Sequence, residues 1–97
     1  VSHDWFIIIM VRRTENMTMT EAIAYKIIKF CNNENISINE FSLRCGLTRS
    51  TVNNIVNHQS KNIKIKTIIY LCHGMNISIK EFYQDNIFDK ISITLNN

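Results

Sequence analysis

The motif Ser/Thr-x-x-Glu occurs three times ahead of an apolar stretch: at Thr18 to Glu21, Ser37 to Glu40 and Ser78 to Glu81. In such a capping box the hydroxyl accepts the third helical N–H, while the glutamate accepts the N–H of the capping residue. Each box therefore marks a helix start. After the first, Ile23, Ile27, Phe30 and Cys31 recur at helical spacing, which predicts a helix to about Asn33. The Asn-rich stretch that ends it suits a left-handed residue. The second box opens a short helix through Cys45, with Gly46 at its C′ position. Thr48 then caps a third helix to about Val56, its inward face formed by Val52, Ile55 and Val56. Ile65, Ile68, Leu71 and Cys72 predict a fourth helix over about Lys64 to His73, with Gly74 as its stop. The third box opens a fifth helix carrying Phe82. Five short helices with tight connections read as a compact all-α domain.

Composition narrows the class. With 45% hydrophobic and 20% charged residues among 97, the chain reads as globular. Its longest apolar run, Trp5 to Val11, is far short of the roughly 20 residues of a membrane span. Arg12 and Arg13 follow that run, whereas a secretory signal has its basic residues ahead. Three cysteines, Cys31, Cys45 and Cys72, form no paired pattern, so a reduced cytoplasmic setting fits better than a disulfide framework. His58 and His73 stand near them in sequence, but the spacing matches no zinc finger or ribbon, and the cysteines read as structural thiols. No paired carboxylates, activated nucleophile or phosphate-cradling glycine loop is present, so neither an enzyme nor a cofactor is expected.

Charge is segregated. Residues 41–80 carry Arg44, Arg49, Lys61, Lys64, Lys66 and Lys80 without one acid, while all eight acids lie outside that window. Forty acid-free residues point to a surface facing a polyanion.

Within that window, helix, Gly46-Leu47-Thr48 and helix make a helix-turn-helix pattern, whose second helix enters a DNA major groove. With Val52 and Ile55 inward, Arg49, Ser50, Asn53 and Asn54 point outward. Arg suits guanine O6 and N7, and Asn suits adenine N6 and N7. Thr48, Thr51, Lys61 and Asn62 are the candidate backbone contacts.

The stretch from about Ile23 to Tyr83 resembles the Cro and phage-repressor type of helix-turn-helix domain, also called the xenobiotic-response-element family. The matching segments are residues 36–41, 46–52, 60–62, 65–68 and 76–82. The resemblance implies a five-helix DNA-binding domain, usually a dimer on a pseudo-palindromic operator. It puts base reading on Arg49, Ser50, Asn53 and Asn54, and backbone contact on Asn57, Lys61 and Asn62. The chain departs from the family pattern at three places. Ile38 stands where many members carry a phosphate-bonding Gln, His58 replaces a usual Gly, and Ile63 replaces a frequent Pro.

The domain is expected over residues 18–84, with an extension at 1–17 and a tail at 85–97. Trp5 to Val11 and Ile91 to Leu95 each read as a short strand. Because the chain begins with Val1, and Met10, Met17 and Met19 each offer a start, a competing reading makes residues 1–16 non-native. Ile87, Phe88, Ile91, Ile93 and Leu95, with the N-terminal run, read as surplus apolar surface for a homodimer interface. The expected function is a cytoplasmic, sequence-specific regulator of transcription on double-stranded DNA, without membrane contact. The rival is a protein-interaction module, antitoxin-like or adaptor, that works through the apolar terminal segments.

Overall fold

The structure is a computed structural model that describes residues 17–91. It contains five α-helices: α1 (Met19–Glu34), α2 (Ile38–Cys45), α3 (Arg49–Val56), α4 (Ile65–Met75) and α5 (Ile79–Tyr83). A 3-10 turn, Asn86–Lys90, follows them. The domain is all-α, as the sequence implies. The strand readings at Trp5 to Val11 and at Ile93 to Leu95 lie outside the described residues. Within them, one parallel bridge joins Met17 to Ile91.

Four of the five helix starts follow the local code. Thr18, Ser37, Thr48 and Ser78 sit in extended backbone, and each hydroxyl accepts the N–H three residues on. Each such cap stabilises its helix by about 1 kcal/mol. The box is complete at Thr18 and Ser78. At Ser37 only half of it forms, because Glu40 Oε2 lies 3.5 Å from an Arg44 guanidinium nitrogen one turn on. The carboxylate takes an ion pair along the helix face instead of the Ser37 N–H. Lys64 caps α4 with no side-chain hydrogen bond.

Helix ends share one device. In α1, α2 and α4 the N–H of the first residue past the end, and in α3 that of the second, His58, bonds a carbonyl three back. The next N–H bonds one five back. This Schellman turn needs a left-handed residue, and that residue is Asn35, Gly46, His58 and Asn76 in turn. The stop expected at Gly74 is corrected: α4 continues through Gly74 to Met75, and Asn76 ends it. Gly74 is there for space. A Cβ at this position would overlap Cys45 Sγ and stand 3.2 Å from the Cys45 backbone nitrogen.

The main core gathers Ile23, Ile27, Phe41, Val52, Ile55, Leu71 and Phe82, all at most 1% exposed, from all five helices. Cys31, Cys45 and Cys72 belong to it as free thiols. Burial pushes the Cys31 thiol up to about 11 and the Cys45 thiol to about 12, which keeps both protonated and unreactive.

A second, smaller cluster joins Met17, Ala22 and Ile87, with Tyr25, Phe88 and Ile91 packed against it. Ile87, Phe88 and Ile91 are therefore core material and not surplus surface. Asp85 starts this segment by accepting the Ile87 N–H at 3.0 Å. Lys26 Nζ and Lys29 Nζ approach its carboxylate at 3.4 and 3.6 Å. Burial works to raise the Asp85 carboxyl, but the Ile87 N–H bond and the two lysines prevail and hold it below the usual carboxylate range. The Lys26 ammonium also lies 5.3 Å from the Phe82 ring centre. Through these contacts residues 85–91 are fastened to α1.

Candidate nucleic-acid interface

Helix α3 is held from behind and left open in front. Gly46 takes φ 77°, which lets the chain turn sharply out of α2. Leu47 follows and packs on the main core. Thr48 then sets the head of α3, with Val52 and Ile55 driven fully inward at 0% and 1% exposure. These two anchors fix the rotation of the helix. Whatever lies on its other face is fixed with them.

That face carries Arg49, Ser50 and Asn54, all exposed, with Asn53 half-buried beside them. The head of the helix is a cluster of hydroxyls. Thr48 Oγ1 accepts the Thr51 N–H at 3.2 Å and lies 2.8 Å from Thr51 Oγ1 and 3.2 Å from Ser50 Oγ. One capping oxygen thus orders two neighbouring hydroxyls, each of which keeps hydrogen-bonding capacity for a further partner.

Thr48, Arg49, Ser50 and Asn53 line one open concavity, and its other wall is Asn39 of α2. No acidic side chain lines it. Asn54, Asn57, Lys61 and Asn62 are exposed but lie outside this hollow, and Thr51 is half-buried next to it. Asn39 was missed by the sequence reading, although a signal for it exists. Ile38, Phe41, Ser42 and Cys45 are the inward residues of α2, which leaves 39, 40, 43 and 44 on the outer face.

The exit of α3 carries the candidate backbone contacts. Asn57 ends the helix, and the His58 and Gln59 N–H groups bond the Ile55 and Asn54 carbonyls at 3.1 and 2.8 Å. His58 occupies the left-handed conformation at φ 62°. The substitution of His for Gly therefore falls where the backbone is strained for any residue with a Cβ. The loop beyond is tied to the start of α1, where Thr20 Oγ1 donates to the Lys61 carbonyl at 3.4 Å. The Lys61 side chain itself is exposed.

Among the described residues, no group of three His, Cys, Asp or Glu side chains is arranged to hold a metal ion. No helix among them is long and apolar enough to cross a membrane. Chemically, the surface offers a guanidinium, amides, hydroxyls and nearby ammonium groups, with no paired acid and base.

Two helices joined by a glycine turn, the second displaying a cationic and amide-rich face, define a helix-turn-helix DNA-binding domain. The chain belongs to the Cro/C1-type helix-turn-helix DNA-binding domain family, whose model matches residues 26–86, 61 of the 97. No curated protein and no solved structure matches it significantly.

Proposed function

We propose that this protein is a sequence-specific regulator of transcription that inserts α3 into the major groove of double-stranded DNA. The observation that carries the reading is the division of α3 itself. Val52 and Ile55 are sealed in the core, while Arg49, Ser50, Asn53 and Asn54 are presented together on the opposite side. Arg49, Ser50 and the two asparagines are the base-reading residues: the arginine and asparagine forks match guanine and adenine edges, and the serine hydroxyl can bond either. Thr48, Thr51, Asn57, Lys61 and Asn62 hold the phosphates on either side, which fixes register without carrying sequence information. Affinity comes chiefly from phosphate neutralisation by the acid-free segment 41–80.

The protein acts in the cytoplasm as a homodimer. A two-fold axis places two copies of α3 about 34–36 Å apart, one turn of DNA, and a pseudo-palindromic operator answers that spacing. It binds and does not catalyse. Of the terminal segments expected to form the dimer contact, Trp5 to Val11, Ile93 and Leu95 lie outside the described residues.

Selection from a random-sequence duplex pool tests this directly. The expected result is an enriched motif with two inverted half-sites, and binding that weakens steeply with salt. Recovery of duplexes with no shared motif at low salt would remove sequence specificity from the proposal. Absence of duplex binding would remove the function.

A further inference from the structure

We propose that the cleft between α1 and the exit of α4 is a ligand site in its own right, which takes a small aromatic carboxylate. It shares no lining residue with the hollow in front of α3, so it stands apart from the DNA reading.

The first argument is shape. Lys26, Lys29, Phe30 and Asn33 share one face of α1, three and four residues apart. Opposite them stand Asp85 and the pair Met75 and Ile77, which flank the left-handed turn at Asn76. Together they bound an open cleft of about 180 Å3. A cavity of about 150 Å3 already holds a benzene ring. Phe30, Met75 and Ile77 supply the apolar floor for such a ring, and all three belong to the main core or pack on it. The floor is therefore in place before any ligand arrives, which lowers the cost of binding.

The second argument is charge. The Asp85 carboxylate faces two ammonium groups, Lys26 Nζ at 3.4 Å and Lys29 Nζ at 3.6 Å. Lys26 is committed: it donates to Asp85, lies 5.3 Å from the Phe82 ring centre, and is only 13% exposed. Lys29 stands just beyond hydrogen-bond distance of Asp85, is 46% exposed, and keeps its donors for another acceptor. Two cations against one anion leave a single positive charge at the mouth, which a monoanion balances. Asn33, one turn on from Lys29, adds an amide on the same face. A carboxylate is a monoanion whose two oxygens accept from both groups. A multiply charged phosphate suits the cleft less well, because Asp85 repels it and it has no apolar part to cover the floor.

Benzoate is the probe, with benzamide as its neutral counterpart and inorganic phosphate as the bare anion. Each is titrated into the full isotope-labelled chain at fixed ionic strength, and the backbone amide shifts are followed. Benzoate is expected to bind saturably, with the shifts concentrated on residues 26–33 and 75–85. Benzamide is expected to bind about five- to tenfold more weakly, the loss of one charge-assisted contact at a partly exposed lysine. Lys29→Met should bring benzoate down to the level of benzamide and leave benzamide unchanged. Lys29→Arg should keep most of the benzoate affinity. Lys29 is exposed and outside the core, and thermal melting of each variant verifies that it folds.

Benzoate and benzamide binding alike, or Lys29→Met leaving benzoate untouched, overturns the proposal by removing the carboxylate from Lys29. Shifts that grow without saturating, or that fall away from the cleft, overturn it too. Phosphate binding as tightly as benzoate would make this a site for bare anions and sink the aromatic carboxylate. None of these results touches the DNA reading, which Arg49→Ala and the duplex selection test on separate residues.

Discussion

Helix α4 buries Ile68, Leu71, Cys72, Gly74 and Met75, whereas α3, three residues shorter, buries only Val52 and Ile55. Both leave by the same Schellman turn. At α4 the turn is made by Asn76, and the next residue, Ile77, packs against the core. Asn35 with Ile36, and Gly46 with Leu47, repeat that pairing of a left-handed residue and an apolar anchor. At α3 the pair is His58 and Gln59, both exposed. The backbone solution is the same four times, but at α3 the apolar anchor is missing and the left-handed residue is a poor one. A helix end that is sealed into the core gains stability from its exit, and one whose exit stays open to solvent forgoes it. The sequence of α4 is thus dictated by packing, and much of the sequence of α3 is free to serve recognition.

The largest effect expected from breaking this contrast is on binding. Arg49→Ala should cost about 1–3 kcal/mol of discrimination at a single base pair, while leaving the melting temperature within experimental scatter. Titration of single-substitution duplexes measures it. Equal weakening on every duplex would mean that Arg49 touches only phosphate.

Packing supplies the counterpart on α4. Gly74→Ala forces a Cβ onto Cys45 Sγ, and the overpacking cost of up to about 3 kcal/mol exceeds the roughly 1 kcal/mol that Ala gains in a helix. A net loss of about 2 kcal/mol in urea denaturation is expected. Gly46→Asn, at the open left-handed turn with nothing within 4 Å, should be close to neutral by the same assay.

Exchanging the two exits sharpens the comparison further. Ile77→Gln withdraws a half-buried side chain from the core and should cost about 1 kcal/mol. Gln59→Ile, the reverse change on α3, should stay within about 0.5 kcal/mol. Comparable losses at both sites would show that α3 leans on its exit as much as α4 does.

The smallest effect is a gain. His58→Gly relieves the strain of a left-handed residue with a Cβ, about 1–2 kcal/mol, and gives part of it back through unfolded-chain entropy. A net stabilisation of about 0.5 kcal/mol is expected in the same urea series.

What could be read in advance follows the range of the interactions. The caps at Thr18, Ser37, Thr48 and Ser78 were legible because a hydroxyl and an amide three residues apart make a complete local device. The inward rotation of α3 was equally legible, since helical spacing alone separates Val52 and Ile55 from Arg49 and Asn53. Gly74 was misread because a helix stop and a close helix-to-helix approach both call for glycine. The difference is Cys45, twenty-nine residues away. The half-formed box at Ser37 has the same origin, a competitor for Glu40 that the motif does not include. Neither the fastening of Asp85 to Lys26 nor the cluster of Met17 with Ile87 has a periodic signature, because each joins residues some sixty or seventy positions apart. Asn39 lay on a face that helical spacing does define. Only the fold showed that this face forms the second wall of the hollow in front of α3.

The fit of Gly74 against Cys45 has an evolutionary side. The space between α2 and α4 holds one side chain beyond the backbone, and here position 45 supplies it. The two positions therefore behave as one heritable character with an order of change built in. A lineage that enlarges position 74 must first reduce position 45, because the opposite order passes through a clash at the centre of the domain. Relatives with Ala at the equivalent of 74 should then carry Gly or Ala at the equivalent of 45, and Cys at both should be absent. Positions on the outward side of α3, which pack against no other helix, meet no such steric gate.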